Sequence, residues 1–261
     1  MNNTALITGA SSGIGKELAT LHAERGGDLV VVARRLDKLD ELKKTLEEKF
    51  SVQVQVMAKD LTDPKAPKEI YDALKAEGID IKVLINNAGF GGLGNFHERD
   101  REQDLAMIQL NVVALTELCH LFLPDFMARN EGRILNVSST ASLPPGGPLQ
   151  SVYFATKHFV TALSYGIAGE IEESDVTITA LLPGATETEF GKTSGMEETD
   201  LFSKPASARS VAEDGYKAMM DGKLHVVSGL SLSQKFLMAV MPFLPKKNVL
   251  SQVKNMQEKS K

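Results

Sequence analysis

Short apolar runs and helix-patterned segments alternate along this chain almost from its first residue to its last. The runs fall at residues 4–8, 28–33, 52–57, 82–85, 133–137, 176–182 and 223–227. They are rich in β-branched residues and apolar on both sides of the chain, as strands covered on both faces must be. Between them lie segments long enough for a crossover. Leu36, Leu39, Leu42 and Leu46, for example, recur at helical spacing on a charged background. Seven such runs joined by helical spacers predict a parallel sheet with helices on both faces, because each crossover must return the chain to the same edge direction. No repeat, linker or low-complexity block interrupts the rhythm, which predicts one domain.

Composition removes several other plans. The 261 residues include one cysteine, Cys119, so neither a disulfide framework nor a cysteine-rich zinc site is available. His22, His97, His120, His158 and His225 never fall at metal-ligand spacing, and no metal is expected. Lys and Arg number 29 against 34 Asp and Glu, a net charge of −5, with no basic run in the body of the chain, so nucleic acid is not an expected partner. After Met1-Asn2-Asn3 the sequence enters its first apolar run directly, without a signal-peptide pattern, and it has no stretch of eighteen apolar residues. A soluble protein in the reducing cytoplasm is expected.

Three loops break the alternation. Residues 89–94 contain four glycines, residues 143–148 read LPPGGP, and residues 183–205 are polar and aperiodic. All three follow strands. Ligands in open α/β sheets sit beyond the carboxyl ends of strands, so these loops are the expected mouth of a site.

Thr8-Gly9-Ala10-Ser11-Ser12-Gly13-Ile14-Gly15 joins the first run to the first helix. Its glycines permit a tight turn and close backbone approach, and the helix behind it offers unpaired N–H groups to a pyrophosphate. Ser11 and Ser12 add hydroxyl donors. A plain βα turn uses the same glycines, but the position between strand and helix favours dinucleotide binding. At the end of the second run, where an acid would bind a ribose 2′-hydroxyl, the sequence has Ala33-Arg34-Arg35. A guanidinium pairs a phosphate in bidentate fashion, so the cofactor is expected to be NADP(H). Solvent-exposed arginines at a strand end are the plain alternative.

Tyr153 and Lys157 stand four apart on one helix face. An ammonium beside a phenol is expected to draw the phenol pKa from about 10 toward neutrality, making it a usable proton donor to a carbonyl. Amphipathic helices produce this pair often, so alone it carries little.

Together, Thr8–Gly15, Asn86-Asn87-Ala88-Gly89, Asn111, Ser138-Ser139 and Tyr153-x-x-x-Lys157 resemble, in order and interval, the short-chain dehydrogenase/reductase family. Pro183-Gly184 and Thr188 follow where that family has its nicotinamide-side loop, and the resemblance covers about residues 4–229. It implies a doubly wound (Rossmann) seven-stranded parallel sheet, NAD(P)(H) binding and reversible hydride transfer between nicotinamide and a carbonyl or alcohol. By the same resemblance Tyr153 is the general acid/base, and Lys157 tunes it and holds the nicotinamide ribose. Ser139 hydrogen-bonds the substrate oxygen, with Ser138 as its inward neighbour. Asn111 kinks its helix and holds a water joining Lys157 to solvent. Gly9, Ser11, Ser12, Gly13, Ile14 and Gly15 cradle the phosphates, and Asp60 and Leu61 flank the adenine. Asn87, Ala88 and Gly89 line the adenosine side, while Pro183, Gly184 and Thr188 clasp the carboxamide. Two departures stand out: the interval from Ser139 to Tyr153 is about one residue longer than usual, and Ser12 replaces a common basic residue.

The expected activity is NADPH-dependent reduction of a ketone, aldehyde or 3-oxoacyl group. The alternative is a non-catalytic NADP(H)-binding sensor or scaffold, although all four catalytic positions are filled. Phe90, Leu93, Phe96, Leu143, Phe190, Met196 and Phe202 in the mouth loops suggest a substrate with an apolar body. Residues 230–261 form a C-terminal extension of charge +5 on a body, residues 1–229, of charge −10. Its apolar residues, with Lys235, Lys246 and Lys247 beside them, suit either a membrane interface or packing over the mouth. Pro242 and Pro245 interrupt a long amphipathic helix, which favours packing; by the family resemblance, the extra residues lie where members make tetramer contacts, so a homodimer is expected rather than a tetramer.

Overall fold

The computed structural model describes residues 3–197, 199, 202–203 and 205–258. Lys259 and Lys261 of the basic tail lie outside the described residues, as do the side chains of Leu232, Ala239 and Pro242.

All seven apolar runs are strands of one sheet, displaced by at most two residues from the expected ends. They are β1 (Thr4–Thr8), β2 (Leu29–Ala33), β3 (Val54–Ala58), β4 (Ile81–Asn86), β5 (Arg133–Val137), β6 (Thr177–Pro183) and β9 (His225–Ser228). Every pairing is parallel and the order is β3-β2-β1-β4-β5-β6-β9. The chain reverses its direction of travel across the sheet between β1 and β4, which opens a crevice there. Two short strands outside this sheet, β7 (Thr186–Glu187) and β8 (Ala206–Ser207), tie together the ends of the long polar segment.

Helices cover both faces. On one, α1 (Gly13–Ala23), α2 (Leu36–Phe50) and α8 (Ala208–Met220) bury Leu18, Leu39, Leu46, Val211 and Tyr216. On the other, α3 (Ala66–Ala76), α5 (Leu115–Arg129) and α6 (Ser151–Glu170) bury Ile70, Leu118, Phe122, Phe126 and Val160. Each such side chain contributes roughly 1.5–3 kcal/mol by leaving water. The fold is therefore the doubly wound single-domain sandwich that the alternation predicts.

α4 (Arg101–Ile108) begins at Asp100, whose carboxylate accepts from the amides of Glu102 and Gln103, and it continues through a π-helical turn (Gln109–Ala114) into α5. The resulting stretch, Arg101–Arg129, is long and apolar enough to cross a membrane by length and composition. That departs from the expectation that no segment is. Charged residues among the apolar ones hide it from a search for unbroken runs. Its contacts with β4 and β5 and its buried Phe122 and Phe126 pack one face on the sheet, while Leu105, Ile108, Val113 and Met127 on it are exposed. Cys119 lies within it, sealed against Asn86 and Asn136, and burial pushes its thiol up to about 12.

His22 on α1 is wholly buried: its two ring nitrogens meet the Tyr216 hydroxyl at 3.0 Å and the Asn3 carbonyl at 2.7 Å. Burial holds its pKa below the usual value of 6.5. The unfolded chain therefore binds more protons than the folded one just below that value, and stability falls as pH drops through it. We expect denaturant midpoints to decline from about pH 6.5 to 5, above the range in which most carboxylates titrate. A flat profile across that window would contradict the burial of a neutral imidazole.

Candidate active site

The crevice between β1 and β4 is bounded by a loop whose sequence leaves little choice of backbone. Thr8 ends β1 and its hydroxyl accepts from the amides of Asn87 and Ala88, at 3.0 and 3.1 Å, across the switch point. Asn87 in turn donates its side-chain amide to the Thr8 and Gly9 carbonyls, at 2.9 and 3.2 Å. Gly9 has φ +67°, and a Cβ there would stand 2.7 Å from the Asn87 amide nitrogen. A Cβ on Gly15 would collide with the same nitrogen and with the Gly9 carbonyl. Ser12 is the N-cap of α1 and makes no side-chain capping bond, leaving the first-turn amides to face the crevice. Those open amides, with the glycine-shaped cradle in front of them, fit a pyrophosphate.

The reacting end lies beyond β5. Ser138 is buried, its hydroxyl donating to the Lys157 carbonyl at 2.9 Å and meeting Thr161 at 2.7 Å, so its role is to fix α6. Ser139 instead turns into the crevice, accepting from the Ala141 amide at 3.1 Å and donating to the Pro183 carbonyl at 3.5 Å, and it lines the crevice beside Tyr153. Lys157, on the same face of α6 as Tyr153, donates to the Val137 carbonyl at 2.9 Å. Its nitrogen is 5.8 Å from the centre of the Tyr153 ring.

One expectation is corrected here. Burial pushes the Tyr153 phenol up to about 12, against the opposing influence of the Ser139 hydroxyl, instead of the ammonium drawing it toward neutrality. Desolvation also brings Lys157 down to about 8. Both groups are almost fully enclosed, and the ammonium spends its hydrogen bond on a backbone carbonyl.

Asn111 does not line the crevice. It sits in the π-helical turn, where its side chain donates to the Phe90 carbonyl at 3.0 Å and accepts from the Phe90 amide at 3.2 Å. A Cβ on Gly89 would stand 3.0 Å from the Asn111 oxygen and 3.6 Å from the Lys157 nitrogen. The turn thus brings Asn111 close to Lys157 and clamps the glycine-rich loop.

At the adenosine end, Asp60, Leu61, Ala88, Arg34 and Arg35 line the crevice with Gly13 and Ile14. Arg34 is exposed, whereas Arg35 reaches Ser11 and Ser12, each at 3.1 Å, and Glu189 at 2.8 Å. Pro183, Gly184 and Thr188 form the opposite wall; Thr188 is the N-cap of α7 (Glu189–Thr193) and accepts from the Phe190 amide at 3.2 Å. Of the predicted cofactor residues only Gly15 lies behind the wall.

The crevice encloses about 500 Å³ and is largely apolar where it widens. Phe90, Phe190, Met196 and Phe202 line it as expected, and the Phe190 ring stands 5.5 Å from that of Tyr153. Leu93, Phe96 and Leu143 do not line it: Phe96 is 68% exposed, and Leu93 and Leu143 are half-buried away from it. The C-terminal extension supplies the remaining wall. Its helices α9 (Leu232–Val240) and α10 (Lys246–Gln257) contribute Leu237, Met238, Val253, Met256 and Gln257, with Met241 between them. Met241, Val249 and Val253 cluster with Tyr153 and Phe154. Gln257 carries a buried side-chain oxygen without a protein partner. Neither Gln257 nor Glu189 was singled out from the sequence; the spacing Val249, Val253, Gln257 is the signal for the first, and nothing local marks the second. Among the described residues no three metal-ligating side chains cluster.

The family model for short chain dehydrogenase matches residues 3–199. The chain belongs to that family. Among curated members, the short-chain dehydrogenase described here is 33% identical over 198 residues to the very-long-chain 3-oxoacyl-CoA reductase of Bos taurus, covering 72% of this chain and 61% of that protein. It is 37% identical over 191 residues to the NADP-dependent 3-hydroxy acid dehydrogenase of Schizosaccharomyces pombe, covering 72% and 73%. Among solved structures, a short-chain dehydrogenase from Sphingobium yanoikuyae in complex with NADPH superposes with a TM-score of 0.82 at 32% identity, over 98% of each chain. An oxidoreductase acting on CH–OH and C=O groups with a nicotinamide cofactor follows from family membership.

Proposed function

We propose that this short-chain dehydrogenase reduces the carbonyl of an apolar substrate with NADPH, and that a 3-oxoacyl thioester is the substrate class that best suits it. The observation carrying this reading is the continuity of one crevice. It runs from two arginines, past the open amides of α1, to the Ser139–Tyr153–Lys157 group, and widens into an apolar chamber roofed by α9 and α10. The names of the bovine and yeast relatives support the 3-oxoacyl and NADP parts.

The cofactor, when bound, supplies a hydride to the carbonyl carbon. Ser139 and the Tyr153 hydroxyl hold the carbonyl oxygen, and the phenol delivers its proton there as negative charge develops. Lys157 offsets the phenolate that this leaves. Its ammonium, brought to about 8 by burial, is close enough to neutrality to pass on a proton in turn. Asn111, by clamping Phe90 and reaching Gly89, keeps the ammonium's surroundings fixed. Met238, Met241 and Val253 cover the acyl chain and exclude water, and the free Gln257 oxygen offers an acceptor to a donor on the substrate. A cytoplasmic homodimer is part of the proposal, carried over from the sequence pattern alone.

The test is NADPH consumption with 3-oxoacyl thioesters of increasing chain length beside simple ketones and aldehydes. Each methylene buried under the extension is expected to raise kcat/KM by about two- to fourfold until the chamber is full. Cofactor binding without turnover of any carbonyl would favour the sensor reading instead.

A further inference from the structure

Arg35 stands at the rim of the crevice with its fork filled from within the chain. Its two terminal nitrogens donate to the two carboxylate oxygens of Glu189, at 3.1 and 2.8 Å. One of them also reaches the Ser11 and Ser12 hydroxyls, each at 3.1 Å. Ser12 completes the ring by donating to Glu189 at 3.0 Å. All four residues line the crevice. A guanidinium fork with a serine hydroxyl on one anion is the donor set that a phosphate monoester takes. The pair spans 154 residues of sequence and joins opposite walls, the phosphate loop on one side and α7 on the other.

We propose that the Glu189 carboxylate is an internal competitor for the cofactor's 2′-phosphate, occupying its donors on Arg35 and Ser12 until the dinucleotide displaces it. The inference rests on the NADP reading above. Arg35 is raised and Glu189 lowered, each chiefly by the hydrogen bond to the other, as expected for an ionised pair. The side chains are 42% and 56% exposed, so water screens the pair and a dianionic phosphate can exchange with it. Displacement has a second consequence. Phe190 follows Glu189 directly and packs against the Tyr153 ring, so releasing the carboxylate frees the start of the segment that walls the reacting end. Glu189 thereby sets how strongly the enzyme discriminates between phosphorylated and unphosphorylated dinucleotides.

The test is calorimetric binding of adenosine 2′,5′-bisphosphate and of ADP to the full chain, in wild type and in Glu189→Gln. The amide keeps the shape but removes both the competing charge and its repulsion of phosphate. We expect the 2′,5′-bisphosphate to bind about three- to tenfold more tightly to the variant, and ADP to bind within twofold of wild type. In an Arg35→Gln background the same change should tighten 2′,5′-bisphosphate binding by less, about twofold, since the contested fork is gone and only the Ser12 donor and the lost repulsion remain. Equal shifts for both ligands, no shift, or weaker 2′,5′-bisphosphate binding would each overturn the proposal. A wild type that ignores the 2′-phosphate while Glu189→Gln selects it would leave this inference standing and defeat the NADP assignment.

Discussion

Tyr153→Phe is expected to lower kcat by about a thousandfold, in the middle of the range for loss of a general acid, while the Kd for NADPH stays within about twofold. The substitution removes one oxygen from a ring held in place by Phe154 and Phe190, so packing is kept. Ser139 and Lys157 remain, but neither replaces the lost proton: the serine is a far weaker acid, and the ammonium donates to the Val137 carbonyl. Stopped-flow turnover with cofactor titration by fluorescence separates the two effects. Because burial puts the phenol at about 12 before any ligand binds, kcat should rise with acidity of the phenol, and fluorotyrosine at position 153 is the graded version of the test. Activity in Tyr153→Phe equal to wild type would remove the residue from the mechanism.

Lys157→Met is expected to abolish turnover and weaken NADPH binding while making the protein more stable. The ammonium is 5% exposed and brought down to about 8 from its ordinary 10.5. Its folded pKa lies below its unfolded one, so the unfolded state binds more protons between about pH 8 and 10.5. Wild-type stability contributed by this group therefore rises with pH across that window. Below it, keeping the charge buried costs roughly 3 kcal/mol. Methionine matches the stem without the charge, and leaving the Val137 carbonyl unpaired takes back about 1 kcal/mol. The remainder, about 2 kcal/mol, corresponds to a Tm higher by roughly 4–8 °C near pH 7 for a chain of this size. The gain should vanish by about pH 10.5, where wild type is neutral too. Thermal melts at the two pH values check it. A variant less stable than wild type at pH 7, binding NADPH normally, would contradict both roles given to the ammonium.

The sheet was legible because its strands are apolar on both faces, and β1 and β5 begin and end at the residues where the apolar runs do. Strand ends such as those of β3 shifted because Val52 packs into the core without joining the ladder. The cofactor end was legible because backbone geometry demands particular residue types: glycine at φ +67° and +55°, for Gly9 and Gly13, leaves a mark that no tertiary contact can erase. The π-helical turn around Asn111 leaves no such mark, since QLNVVA reads as ordinary helix; the family resemblance alone pointed there. Leu93, Phe96 and Leu143 failed as lining residues because an apolar residue in a loop does not state which way the loop turns. Glu189 was invisible for a different reason. Its partner lies 154 residues away, and an acid at the start of a short helix has an adequate local explanation.

The hydrogen bonds between Thr8 and Asn87 have a bearing on how the protein comes into being. The phosphate loop is complete in sequence by residue 15, yet the side chain that pins its carbonyls lies 79 residues beyond Thr8. On the ribosome, β1, α1 and β2 emerge before Asn87 is there to hold the Thr8 and Gly9 carbonyls, and the glycine-shaped cradle lacks that support until β4 is threaded in beside β1. Loop closure on that scale is slow compared with helix formation. Ligand capture thus belongs to a late stage of maturation, and β4, not the glycines, decides when it begins.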